Sequence, residues 1–542
     1  MTEHKHIGKI VGALMAAAVA FCLIVTLFAD RFVAVSGSSA ATMEYESTLF
    51  DTSEIMTVNI IMDENQWQEL LDNAISEEYY ACDVEINGEM ISNVGIRTKG
   101  NTSLSSIAND PDTDRYSFKI KFDKYVDGQT CMGLDKLVLN NNFADATNRK
   151  EALVYDMFQY LGADASLYHY AKISVNGEYW GTYLALEAVE DSFKLRNYGV
   201  SDGNLYKPET MGMGNDQKED GGKPDGNPPE WTDNADFPSS EEGDLAKDSN
   251  PMDRPERPQG DFDQADMDEK FRNPQGDPGD FGGFGNRNRG ADLNYTDDDA
   301  DSYSTIWDGA DGKVTDSDKE RVVTAIKNIN EGTDLTTYLD VDNILKYMAV
   351  HEFVVNLDSL SGNMAHNYYL YENDGQLNII PWDYNLSFGG MTNGGMGGGP
   401  GRESTESSGA TSMINDPIDT PFDGTDFFDA LLENEEYLAQ YHEYLRQLAE
   451  EYVQGGRLQE VWERLDAQTD ELIETDPTAF YTAAEYEEAK ETLWTVLQLR
   501  AESVLGQLDG TIPSTDDGQQ NAQDTLIDGS AIDLSVMGEF NH

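Results

Sequence analysis

Cysteine, histidine and basic residues are all scarce in this chain of 542 residues. Three cysteines cannot build a disulfide framework. Cys22 falls in an apolar run near the N-terminus, which leaves Cys82 and Cys131; they could pair outside the cell, though sequence alone does not place them close together. The seven histidines are scattered and share no zinc-like spacing with the cysteines, which argues against a structural metal of that kind. Lysine and arginine number 36 against 102 acidic residues, a net charge of −66. So negative a surface repels DNA, RNA and anionic lipid, so nucleic acid is not expected as a partner, whereas cations and basic proteins are.

Long apolar runs are equally rare. Residues 10–29 form an uncharged, mostly apolar stretch that follows Lys5 and Lys9. As a helix it rises about 30 Å, enough to cross a bilayer core. The lysines favour a cytoplasmic segment 1–9, a transmembrane anchor 10–29 and an exported remainder on the extracytoplasmic side. A cleaved signal peptide competes with this reading, because small residues follow at Ala34, Ser36 and Ser38. Valine and isoleucine are absent from residues 208–299, which hold 10 of the 17 prolines and only Leu245 and Leu293 as leucines. Such a segment cannot bury enough apolar surface to offset its ordering entropy, so a disordered acidic Gly/Pro-rich insertion is expected there.

What is present before the insertion reads as short strands with turn signals. Residues 58–62 alternate, and Asp63 caps a helix to Leu71. Asn87-Gly88 and Asn176-Gly177 sit between apolar runs and predict two hairpins. Residues 144–161 have helical periodicity. After the insertion, Asp308, Asp311, Asp316 and Asp318 hint at a calcium loop but lack the alternation of an EF-hand, and capping of a helix 317–329 explains them better. A helix over 340–356 follows, then amphipathic helices over 426–508 and a polar, weakly structured tail. The pattern is α+β, with strands first and helices later.

The chemistry concentrates around Asn356-Leu-Asp358-Ser-Leu-Ser-Gly-Asn363 and Pro381-Trp-Asp383-Tyr. Asn363 trails Asp358 by five residues and Asp383 trails it by 25, with a hairpin between the carboxylates. Phosphoryl transfer needs such a set: one carboxylate to orient or deprotonate a hydroxyl, and an amide plus a second carboxylate to hold Mg²⁺ on phosphates. Two surface turns flanking a hairpin would give the same spacing. The glycines of 390–401 invite a phosphate-loop reading, but no Gly-Lys-Ser/Thr end is present.

Several ordered motifs resemble the CotH family, the spore-coat protein H kinases. They are Gly95-Ile-Arg97-Thr-Lys-Gly100-Asn-Thr-Ser103, Tyr116-Ser-Phe-Lys119-Ile-Lys-Phe122, Leu134-Asp-Lys-Leu-Val-Leu-Asn140-Asn141, Val175-Asn-Gly-Glu-Tyr-Trp180-Gly-Thr, and Asn204-Leu-Tyr-Lys207-Pro208, together with the stretch around Asp358. The resemblance implies a two-lobed protein-kinase-like fold, with a β-rich small lobe over 43–207, a helical large lobe over 300–508 and a tail over 509–542. It implies Asp358 as the carboxylate that accepts the hydroxyl proton, and Asp383 and Asn363 (Asn367 as fallback) as ligands of Mg²⁺ or Mn²⁺. Lys119, with Lys121 as its rival, resembles the lysine on the nucleotide phosphates; Arg97, or the backbone of Lys99-Gly100-Asn101, could cover those phosphates. Glu187 to Val189 looks like the segment that touches adenine, and Glu151 like a partner for Lys119. The implied activity is ATP-dependent phosphorylation of Ser/Thr, with a basic Ser-rich protein as acceptor on charge grounds, at a membrane-anchored cell-surface or spore-coat location. The alternatives are a non-catalytic surface or coat-assembly protein on the same fold, and an adhesion module using the acidic insertion.

Overall fold

Seven short strands close into a barrel because each buries one face and leaves no edge unpaired. In β1 (Met56–Ile61), Met56, Val58 and Ile60 are buried while the residues between them are not. The others are β2 (Tyr80–Ile86), β3 (Glu89–Lys99), β4 (Ser117–Lys121), β5 (Lys136–Asn140), β6 (Tyr168–Val175) and β7 (Glu178–Glu187). Their order is β1-β2-β3-β4-β5-β7-β6, and a parallel pairing of β1 with β6 completes the circle. The architecture comes from a computed structural model that describes residues 41–210, 289–361, 365–391, 406–422 and 424–538. All of these belong to one unit of the fold; a second, residues 222–287, lies outside the described residues.

Both Asn-Gly pairs form the predicted turns, with positive φ at Asn87 and Gly88 and at Asn176 and Gly177. Their asparagines do a second job. Asn87 Oδ1 accepts from Thr57 N at 2.9 Å, and Asn176 Oδ1 from Met62 N at 3.1 Å, so the two turns brace the two ends of β1. The barrel interior is filled by Val58, Val84, Ile96, Phe118, Ile120, Leu137, Leu139 and Ile173. The opposite face of β5 and β7 is buried as well: Val138, Leu184 and Leu186 join the core of the helical part. That outer face carries the chemistry, because cross-strand neighbours share a side. Lys99 lies opposite Ser117, and Arg97 opposite Lys119.

The first predicted helix is α1 (Glu64–Asp72), with Asp63 accepting from Asn65 N and Gln66 N. α2 (Lys150–Leu161) starts six residues later than its periodicity suggests. The reason is Asp145, whose carboxylate accepts from the backbone of Thr147, Arg149 and Lys150 and holds 144–149 as a loop. α3 (Asp316–Asn330) is capped reciprocally by Thr315 and Asp318, as the helix-capping reading of that acidic stretch expects. α4 (Val341–Val354) leads to the hairpin β9 (Tyr368–Asn373) and β10 (Gln376–Pro381), whose outer edge takes β8 (Asn204–Tyr206). α5 (Glu435–Arg446), α6 (Arg457–Glu474) and α7 (Ala483–Leu508) complete the helical part.

Within the expected disordered insertion, residues 289–299 pack into the fold, with Ala291 and Leu293 fully buried; 211–288 lie outside the described residues. The expected weakly structured tail holds short helical turns, and its apolar Ile512, Leu534 and Met537 are buried, with Ala146 N donating to Met537 O at 3.1 Å. The anchor 10–29 also lies outside the described residues, among which no helix is long and apolar enough to cross a membrane.

One buried arginine ties α7 to the end of α4. Arg500 donates Nε to Phe353 O (3.2 Å), Nη2 to Glu352 O (2.8 Å) and to Glu352 Oε1 (2.8 Å), and Nη1 to Asp416 O (2.7 Å). The Glu352 and Phe353 carbonyls belong to the last turn of α4, where carbonyls lack their usual intrahelical partners. Removing the guanidinium strands the Glu352 carboxyl group in the core, so Arg500→Leu is expected to lower the unfolding free energy by about 3–5 kcal/mol. Urea unfolding measures this; a change within about 0.5 kcal/mol, the range of neutral surface substitutions, contradicts it.

Candidate functional site

α4 ends at Val355, which adopts a left-handed conformation (φ 49°) that a β-branched residue rarely tolerates. The chain thereby turns sharply into Asn356 and Asp358. Ala365 (φ 48°), Asn367 (φ 55°), Asp383 (φ 62°) and Phe388 (φ 57°) share that region. Non-glycine residues held there cost energy, and the surrounding fold must hold them in place.

The loops around Asp358 and Asp383 are fixed to each other by a buried imidazole. Ser361 Oγ donates to Asn356 O at 2.8 Å, so its oxygen receives Nε2–H of His351 at 2.7 Å. Nδ1 of His351 therefore accepts from the Tyr384 hydroxyl at 3.1 Å. Burial pushes the His351 pKa down to about 3, so the ring stays neutral and structural. Phe388 N donates to Val354 O (2.8 Å), and Asn385 Nδ2 to Phe143 O (3.0 Å), which binds the Asp383 loop to α4 on one side and to the loop before α2 on the other.

Asp358 is buried, and each of its carboxylate oxygens has a donor: His366 Nε2 at 2.7 Å from Oδ1 and Asn367 Nδ2 at 3.1 Å from Oδ2. Asn367 Nδ2 also donates to Asp358 O at 2.9 Å. Asp383 feels Asp358 directly. Burial, and then the charge of Asp358, raise its pKa, while Lys99, Lys207 and His366 oppose the rise. The two carboxylates flank the open end of the hairpin, where Tyr368 lies opposite Pro381, and the charges of two lysines act on Asp383. Lys99 lies 5.7 Å from the Trp382 ring centroid and Lys207 lies 6.0 Å from that of Tyr369, and the two rings pack edge to face. Gly309 places Lys207: Lys207 N donates to Gly309 O at 2.7 Å, and a Cβ on Gly309 would come within 2.1 Å of Lys207 O.

A third carboxyl group closes the site from the barrel side. Lys99 Nζ donates to Asn140 Oδ1 (2.7 Å), and Asn140 Nδ2 to Glu151 Oε2 (2.9 Å). Glu151 Oε1 is buried without a hydrogen-bond partner among the described residues. Burial first, then the charge of Asp383, push the Glu151 pKa up to about 8. Glu151 thus reaches Lys99 through Asn140, where the sequence suggested Lys119. The register explains the difference: Lys119 lies opposite Arg97, one two-residue step (about 7 Å) from the Lys99–Ser117 row.

Lys119 is half-buried on β4, on the outer barrel face. Arg97 is buried, with Nη1 on Glu77 Oε1 (2.7 Å) and Thr98 O (2.9 Å). The Glu187 carboxylate is taken up by the Tyr45 hydroxyl (2.5 Å), Leu167 N (3.1 Å) and Arg196. Val189 is buried in the core just beyond β7. Asn363 lies outside the described residues, as do 392–401 of the glycine tract. Cys82 and Cys131 are both free and buried, and burial pushes the Cys131 thiol up to about 12. Sequence reasoning passed over His366, a lone histidine eight residues after Asp358. Lys99 stands out in the sequence only for its backbone; the pairing of β3 with β4 is what puts its side chain on the same face as Lys119.

The carboxyl oxygens of Asp383 and Glu151 are of the kind that suits a hard cation. Among the described residues no group of three His, Cys, Asp or Glu could hold a metal ion, so Asp383 and the unpartnered Glu151 Oε1 could supply only part of a coordination shell. Magnesium is usually held in this way, by one or two carboxylates with phosphate and water completing the shell.

The Glu151 shift has a measurable sign. Its folded pKa is raised from 4.5 to about 8, so its contribution to stability is full below 4.5 and lost as pH rises through 8. Glu151→Gln removes this loss. The variant is therefore expected to gain on the wild type between pH 5 and 8, by up to about 1.4 kcal/mol per pH unit, in urea unfolding without added metal. A difference independent of pH contradicts the assignment.

A family model described as CotH kinase protein matches residues 96–504, from β3 almost to the end of α7. No curated protein matches the chain. The match takes in most of the barrel, the hairpin and every site residue named above, and it covers most of the chain. This protein belongs to the CotH family.

Proposed function

We propose that this protein is an atypical protein kinase, with the barrel as small lobe and the helical part as large lobe, which transfers the γ-phosphate of ATP to Ser or Thr of a basic protein. The observation that supports the reading is that the charges of Asp358, Lys99 and Lys207 all act on the buried Asp383 carboxyl group, while His366 and Asn367 each donate to Asp358. Asp358, its oxygens aligned by His366 and Asn367, orients the acceptor hydroxyl and takes its proton. The hydroxyl oxygen forms a bond to the γ-phosphorus. The bond from that phosphorus to the β–γ bridging oxygen breaks, and ADP leaves with its electron pair. Lys99, and on this reading Lys207, hold phosphate oxygens; Lys119 and Arg97 lie one row further along the same face. Adenine would lie near the backbone from Glu187 to Val189, where the chain leaves the barrel. Magnesium or manganese, held by Asp383 with help from Glu151, would offset the negative charge of the phosphates.

The net charge of −66 favours a basic, Ser-rich acceptor and disfavours acidic ones. Residues 10–29 would anchor the protein, with the catalytic part outside the cytoplasm at a cell surface or spore coat. Incubating residues 43–542 with ATP, Mg²⁺ or Mn²⁺ and a basic Ser-rich protein is expected to give phosphate incorporation. Asp358→Ala and Asp383→Ala are each expected to reduce it at least about 100-fold. Incorporation unchanged in both variants contradicts the roles, and none from folded wild type favours a binding or coat-assembly protein.

A second expectation separates the lysines and the metal. Calorimetric titration with ATP is expected to show binding only with Mg²⁺ or Mn²⁺ present, because the bare carboxylates repel the triphosphate. Lys99→Ala should weaken that binding about tenfold or more, the scale of one lost charged hydrogen bond, and Lys119→Ala should weaken it less. Equal affinity in EDTA, or the reverse order of the lysines, contradicts this assignment.

A further inference from the structure

Two buried histidines stand near the site, and their surroundings differ. Both ring nitrogens of His351 are satisfied within the fold. His366 is equally buried, yet only Nε2 has a partner, Asp358 Oδ1 at 2.7 Å; Nδ1 is buried with none among the described residues. A histidine kept solely for packing normally satisfies both nitrogens, so an orphaned one calls for a reason. The carboxylate can only accept, so Nε2 carries a hydrogen, and in the neutral ring Nδ1 is left as a lone pair.

From this geometry we infer that His366 is a positioning residue for Asp358. Its Nε2–H sets the carboxylate rotamer and occupies Oδ1, Asn367 occupies Oδ2, and the remaining lone pairs face the acceptor hydroxyl in one orientation. Burial works against a charge on the ring, but the hydrogen bond and charge of Asp358 outweigh it and raise the His366 pKa, in keeping with a strong pairing. Oxygen placement matters for the rate, since a misplacement of about 1 Å can cost about 100-fold. The inference rests on the kinase reading for its kinetic consequence, but not for its geometry.

Two substitutions and one spectrum test it. His366→Ala is expected to lower kcat with the basic protein acceptor about 100-fold, with KM for ATP within about twofold of wild type. His366→Gln, whose amide NH₂ can replace Nε2–H, should restore at least about a tenth of the wild-type kcat. Thermal melting of both variants guards against a folding defect. Wild-type kcat in the Ala variant, or an equal loss in Ala and Gln at wild-type melting temperature, overturns the inference. Imidazole ¹⁵N resonances of the wild-type protein give a readout independent of turnover. The Nε2–H tautomer, lost in Asp358→Ala, supports the pairing even if no phosphotransfer is detected and the kinase reading fails; an Nδ1–H tautomer overturns it.

Discussion

Like charges repel, and this fold spends its most unusual geometry on holding two carboxylates together. Asp358 and Asp383 come from the loops before and after a hairpin, in a chain with a net charge of −66. The β9–β10 pairing brings the two loops to one end of the hairpin, with Tyr368 opposite Pro381. The convergence depends on His351, which joins Ser361 to Tyr384, and on the left-handed backbone at Val355 and Asp383. It depends equally on cations, because Lys99 and Lys207 lie where they offset the repulsion.

The rest of the structure supports that arrangement in layers. Arg500 closes the C-terminal end of α4, so the turn at Val355 starts from a fixed point. Asp145 stops α2 from beginning early and gathers the loop that receives Asn385. The barrel contributes its outer face rather than its interior. Lys99, at the end of β3, and Asn140, at the end of β5, carry the link to Glu151. A buried carboxyl group with one unpartnered oxygen is a cost to the folded state, and a cation on that oxygen would remove it.

Local grammar made much of this visible in the sequence. The Asn-Gly turns, the Asp63 cap, the capping of the helix that follows the acidic stretch Asp308 to Asp318 and the hairpin after Asp358 all depend on residues within a few positions of one another. The spacing of Asp358 and Asp383 was legible because a hairpin brings its own ends together. Longer-range features were not. The parallel closure of β1 on β6 joins segments more than a hundred residues apart. Choosing Lys99 over Lys119 requires the strand register, which period-two reasoning leaves open by one rung. His366 carries no local signal, since a lone histidine after a loop has no pattern. The segments 289–299 and 510–538 looked unstructured because a few apolar residues, among them Leu293 and Met537, are diluted by polar ones. Tertiary contacts, rather than their own periodicity, order them.

A crystal structure of the soluble region with Mg²⁺ and a non-hydrolysable ATP analogue tests the central claim most directly. The account predicts a metal on Asp383, triphosphate oxygens within hydrogen-bond reach of Lys99, and Asp358 facing the γ-phosphate. A nucleotide bound away from the two carboxylates, or triphosphate oxygens carried by Lys119 with Lys99 still turned to Asn140, would contradict it.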